Sequence, residues 1–153
     1  MQNVRIVAIE TEIAQQVRAT LKAPVHDFPA HLEVGKDSAP CRHCLRTITP
    51  SDRRILFTYD RFTGKSLPQP GPVYIHADNC QRYPENGAFP EELRHSPRTV
   101  EAYARGRKLK AQEYVADGRF EPIIDKLLAD PDVDYLQVNS TTAGCFTFCI
   151  ERA

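Results

Sequence analysis

Cys41-Arg42-His43-Cys44 and, further on, His76-Ala77-Asp78-Asn79-Cys80 are the residues whose types and spacing point most directly to chemistry. A Cys-x-x-Cys turn is tight enough to aim two thiolates at one ion. His76 and Cys80 stand four residues apart, so a helix beginning near Ala77 places both side chains on one face. Together Cys41, Cys44, His76 and Cys80 offer three sulfurs and one imidazole, a recognised tetrahedral zinc set. Three thiolates around a dication leave one surplus negative charge. Arg42, Arg46 and Arg82 lie beside the ligands in sequence and can offset it, with His43 as a further donor. Four protein ligands close the coordination sphere to water, so such a site is structural and implies no hydrolysis.

Two other readings of the same residues stay open. Cys44 can be a buried small apolar residue, and His76 a satisfied histidine at a strand end. Cys41-x-x-Cys44 can also be a redox pair, although such pairs follow a hydrophobic strand and open a helix that lowers the thiol pKa. Here Gly35-Lys36-Asp37-Ser38-Ala39-Pro40 precedes the pair, and Thr49-Pro50 leaves room for only a very short helix.

The elements that must position these residues are short. Val4 to Ile9 reads as a strand, and Ile13, Val17 and Leu21 recur at helical spacing after it. Ala23 to Pro40, with its three prolines, reads as a loop holding a short strand near Leu32-Glu33-Val34. Arg54 to Asp60 is β-branched and aromatic and predicts a strand; Thr63-Gly64-Lys65-Ser66 turns the chain. Pro68-Gln69-Pro70-Gly71-Pro72 then hands over to the strand Val73-Tyr74-Ile75, which ends at His76. Knuckle, hairpin and a helix carrying the last two ligands is the layout of a treble clef, and residues 41–82 resemble such zinc modules.

Beyond the metal-ligating segment, Ser96 to Val115 predicts a β-hairpin turning at Ala104-Arg105-Gly106-Arg107, in preference to a helix opened by Ser96-Pro97. Phe120, Ile123, Ile124, Leu127 and Leu128 form a helix face that stops before Pro131. Val133 to Asn139 and Cys145 to Glu151 predict a second hairpin. On strict alternation Cys145, Thr147 and Cys149 share one face of the last strand, opposite Phe146, Phe148 and Ile150. The larger apolar set takes the core face, with Ile123, Leu127, Leu136 and Val138. The fold class is α+β, a mostly antiparallel sheet with few short helices in a single domain of 153 residues.

Composition narrows the function. Twenty Lys and Arg balance twenty Asp and Glu, so net charge draws the chain to no polyanion. No basic start with an apolar run opens the chain and no window approaches a membrane span, so a cytoplasmic protein is expected. Five cysteines in a reducing compartment argue against a disulfide frame. Arg94 to Lys110 carries six Lys and Arg against one Glu, while Ala111 to Ala153 carries three against eight acidic residues. A basic stretch with Tyr103 could follow a nucleic-acid backbone. The preferred reading is a solvated hairpin whose cations pair with the acidic C-terminal third, because no nucleic-acid motif accompanies it. His26, His31 and His95 lack spaced acidic partners and read as exposed side chains. Asp130, Asp132 and Asp134 lack the glycine and glutamate of a calcium loop and read as a helix end and turn.

Three blocks carry a wider likeness: Cys41-Arg42-His43-Cys44-Leu45-Arg46, Gly71-Pro72-Val73-Tyr74-Ile75-His76-Ala77, and Ala143 to Arg152. In their order they resemble a bacterial family known as domain of unknown function 1203, from about residue 40 onward. The resemblance implies a stand-alone cytoplasmic domain and supplies no activity. It also implies that many relatives keep Cys41, Arg42, Gly71-Pro72 and Cys145 without counterparts of Cys44 and His76. The fold would then not need the metal, and Cys41 and Cys145 could be core neighbours instead. The expected function is a small zinc-binding domain acting as a binding or interaction module; its partner is open, with a protein the candidate class and a nucleic acid or membrane not expected. The alternative is a thiol-dependent enzyme using Cys41, Cys44 or Cys145.

Overall fold

The computed structural model describes residues 1, 3–62, 65 and 67–153; of the turn expected at Thr63-Gly64-Lys65-Ser66, all but Lys65 lie outside the described residues. In chain order the elements are β1 (Val4–Val7), α1 (Thr11–Thr20), β2 (His31–Val34), β3 (Ala39–Pro40), β4 (Thr47–Ile48), β5 (Arg53–Tyr59) and β6 (Gly71–His76). A short 3-10 helix, Glu91–His95, precedes β7 (Arg98–Ala104), β8 (Lys108–Val115), α2 (Phe120–Leu128), β9 (Val133–Ser140) and β10 (Phe146–Arg152). Every pairing among the described strands is antiparallel, so the class is α+β and mostly sheet. No described helix is long and apolar enough to cross a membrane.

The chain forms two compact units, Met1–Ala8 with Tyr83–Ala153, and Ile9–Arg82. In the first, five strands are ordered β1-β10-β9-β7-β8. The β7–β8 hairpin turns where expected, and Gly106 adopts the left-handed φ of 74° that its turn requires. Phe120, Ile124 and Leu127 of α2 are buried, and Phe89 stacks on Phe120 at 4.0 Å while meeting Phe148 edge-on at 5.5 Å. Ile123 and Leu128, at its two margins, are half-buried, so the expected face of α2 is present with its burial concentrated at the centre. In the second unit, the strand order is β2-β5-β6, beside the small β3–β4 ladder and α1. Ala14 and Val17 are the buried residues of α1, and Leu21 caps the helix with a φ of 51° and stays exposed.

The expected faces of β10 need correction. Phe146 pairs with Asn139 and Phe148 with Val138, neighbours on β9, so a bulge intervenes and the two phenylalanines point to opposite faces. Phe146 is half-buried, whereas Thr147 and Cys149 are fully buried. An extra residue breaks period-two reasoning at the point where it enters. The charged segments pair as expected: Lys110 Nζ lies 2.8 Å from Asp130 Oδ2, and Arg94 Nη1 donates to Glu121 at 2.9 Å.

Two measurements check this packing. Ile124→Ala should lower the unfolding free energy by about 3 kcal/mol and Ile123→Ala by about 1 kcal/mol, read by urea titration. Hydrogen bonding to Arg94 holds the Glu121 carboxyl below its ordinary range. A depressed folded pKa stabilises above the unfolded value and is lost as pH falls through the folded one. Glu121→Gln should therefore cost about 0.5 kcal/mol at neutral pH, and the difference from wild type should vanish in acid.

Candidate metal centre

The site is assembled within the Ile9–Arg82 unit. Ala39 pairs with Ile48 and Pro40 with Thr47, and this two-strand ladder closes the knuckle between them. Inside it, Cys41 N donates to Arg46 O and Leu45 N to Cys41 O, both at 2.9 Å. Leu45 takes a left-handed φ of 55°, a conformation costly for a side chain with a Cβ. Its full burial, at 1% exposure, gives the strained turn its anchorage. Arg42 N donates to Tyr74 O at 3.0 Å, which ties the knuckle to β6. That strand delivers His76 as its last residue.

Residues 77–82 form no helix, contrary to expectation: the chain bends at Ala77-Asp78 and runs irregularly to Cys80. His76 belongs to a strand, paired with Arg54, and Ala77 N still bonds Arg53 O at 3.0 Å. A bend brings His76 and Cys80 to one point as a helix would. The knuckle-and-hairpin part of the treble-clef layout is present, and its helix is not formed at 77–82.

One sulfur or nitrogen from each of Cys41, Cys44, His76 and Cys80 lies within 4.8 Å of all the others. Cys41 Sγ and Cys80 Sγ are 3.9 Å apart, and Cys44 Sγ is 3.4 Å from His76 Nδ1. A tetrahedral zinc ion with bonds of about 2.3 Å to sulfur and about 2.0 Å to nitrogen separates two sulfurs by about 3.8 Å and a sulfur from the nitrogen by about 3.5 Å. The donor set and its spacing fit a metal ion of that kind. Cys41 and Cys44 are buried, while His76 and Cys80 are half-buried.

Of the two side chains that reach the sulfur of Cys80 from outside the ligand set, sequence position singled out His43 and not Arg18. Arg18 of α1 donates from Nη2 to Cys80 Sγ at 3.1 Å and from Nε to His76 O at 3.0 Å. His43 Nδ1 lies 3.1 Å from Cys80 Sγ, which makes it the extra donor anticipated, and its Nε2 meets Thr11 Oγ1 at 3.0 Å. Arg42 and Arg82, expected to offset the thiolates, bond the carbonyls of Pro40 and Ile9. Asp52 Oδ2 stands 3.7 Å from His76 Nε2, on the edge of the ring remote from the sulfur partner of Nδ1, where a carboxylate orients a ligating histidine.

Protons are distributed accordingly. Hydrogen bonding, first from Cys41 and then from Cys44, holds the Cys80 thiol far below its ordinary range. Cys44 is pushed up, chiefly by hydrogen bonding to Cys41 and then Cys80. His76 is raised to about 10 by hydrogen bonding to Cys41 and Cys80, against the opposing effect of burial. These are the protons that a cation must displace.

The remaining candidates fall elsewhere. Cys145 and Cys149 belong to the other unit, Cys145 half-buried with its Sγ 3.6 Å from Ala143 O. His26, His31 and His95 are exposed. None of the five cysteines is in a disulfide, and Cys41-x-x-Cys44 opens no helix of the kind a redox pair uses.

Fold and site together define an α+β protein with a Cys3His cluster that could hold a metal ion. Residues 38–152 match the family described as Protein of unknown function (DUF1203), and the chain belongs to that family. Nothing among the curated proteins or the solved structures matches it.

Cys44→Ser should remove one ligand and, with it, bound metal. Hydrogen exchange should then rise chiefly within residues 9–82, the unit that contains the cluster. An equal rise along the whole chain would show instead that the two units unfold as one.

Proposed function

We propose that this protein is a zinc-binding domain in which Cys41, Cys44, His76 and Cys80 hold one structural zinc ion. The observation that carries the reading is the 3.9 Å separation of Cys41 Sγ and Cys80 Sγ together with the 3.4 Å approach of Cys44 Sγ to His76 Nδ1. Soft thiolates favour zinc over hard cations such as magnesium or calcium. Unbonded sulfurs at that distance suit a reducing compartment, in keeping with a cytoplasmic protein. A closed four-ligand site stabilises and shapes a surface more readily than it turns over a substrate, so the protein acts as a binding or interaction module.

A second reading, a thiol-dependent enzyme, has one observation in its favour. Cys80 is half-buried, its thiol is held low, and His43 stands 3.1 Å from its sulfur. That feature moves the thiol reading from Cys41, Cys44 or Cys145 to Cys80. Elemental analysis and alkylation of protein purified without added metal separate the two. One zinc per chain with slowly labelled Cys41, Cys44 and Cys80 is the expected result; metal-free protein with a rapidly labelled Cys80 would favour the enzyme.

A further inference from the structure

The sulfur of Cys80 is held differently from its neighbours. Cys41 Sγ accepts a backbone hydrogen bond from His76 N at 3.3 Å. Cys80 follows the bend after β6, outside any strand, and its sulfur draws side-chain donors from two separate elements. The guanidinium of Arg18 reaches it at 3.1 Å from α1, and the imidazole of His43 reaches it at 3.1 Å from the knuckle. The same guanidinium also donates to His76 O, so one side chain grips two ligand residues. For Nδ1 of a neutral His43 to carry the donated proton, Nε2 must accept one; Thr11 Oγ1, at 3.0 Å, is placed to supply it.

We infer that Arg18 and His43, the latter oriented by Thr11, are positioning residues that compensate the charge of the metal-bound Cys80 thiolate and slow release of the ion. The inference rests on the zinc reading above and deepens it. A Cys3His site carries one surplus negative charge, and a charge partly withdrawn from water is stabilised by a fixed partner. Cys80 receives that partner from Arg18, and as the half-buried sulfur of the three ligands it is also the one that chelators and alkylating agents reach. Hydrogen bonds to a thiolate withdraw electron density from it, leaving it less basic and less nucleophilic while the metal bond stays in place. Proton competition and electrophilic attack, the two routes by which a ligand sulfur is lost, both begin at an electron-rich lone pair. Arg18 and Thr11 precede residues 38–152, so the matched part of the family contains neither of them.

The test compares wild type with Arg18→Met, Arg18→Lys and His43→Phe, each loaded with cobalt(II) for spectroscopy and with zinc for release. Arg18→Met should still bind one metal per chain. Its thiolate-to-cobalt charge-transfer band should move to longer wavelength, because the sulfur is richer in electrons. Zinc loss to a chelator should accelerate about tenfold, with Cys80 the first of the three ligand cysteines alkylated in the zinc form. Arg18→Lys, which keeps one donor but cannot fork to His76 O, should fall between. His43→Phe should shift the band in the same sense and carries the test should Arg18→Met not fold. Variants that hold metal with wild-type bands, release rates and labelling order would overturn the inference while leaving the zinc site intact. A wild type that binds no metal would overturn the zinc reading itself and the inference with it.

Discussion

Three sulfurs and an imidazole nitrogen brought within 4.8 Å of one another are the constraint on which the Ile9–Arg82 unit depends. Two thiolates about 4 Å apart at a half-buried position repel by about 4 kcal/mol. Such a cluster persists only if protons or a cation sit among the sulfurs. The raised His76 and Cys44 and the lowered Cys80 describe the protonated solution to that repulsion. A divalent ion is the other solution, and it frees those protons as it binds.

The surrounding structure can be understood as support for this cluster. The β3–β4 ladder closes the knuckle, Arg42 N fastens it to β6, and Ile9 N fastens the approach to α1 onto Arg42 O at 2.9 Å. Through Arg18 and Thr11 the helix then reaches the sulfurs and their histidine donor. Leu45 illustrates the balance of forces. Its left-handed backbone is unfavourable, and the burial of its side chain beside the knuckle compensates. The five-stranded unit stands on different terms, an apolar core with stacked Phe89 and Phe120, and it contains none of the four ligands.

What was legible in the sequence was whatever depends on near neighbours. Cys41-x-x-Cys44 and His76-x-x-x-Cys80 are local spacings, and the strands at 53–59, 71–76 and 98–115 follow from side-chain type and turn residues. Of the supporting shell His43 was legible, but Arg18 and Thr11 were not, because Arg18 meets Cys80 across 62 residues of chain and Thr11 meets His43 across 32. No periodicity encodes such pairings. The segment 77–82 misled because a four-residue spacing suits a bend as well as a helix turn. The face of β10 misled because a bulge at Thr147 leaves no mark on the alternating pattern. In both cases a backbone irregularity at a few residues decided where the side chains went.

The most direct measurement is X-ray absorption at the zinc edge of protein purified without added metal. The account predicts zinc surrounded by three sulfurs at about 2.3 Å and one nitrogen at about 2.0 Å, with no water oxygen in the coordination sphere. Absence of zinc, or a zinc spectrum dominated by oxygen ligands, would contradict it.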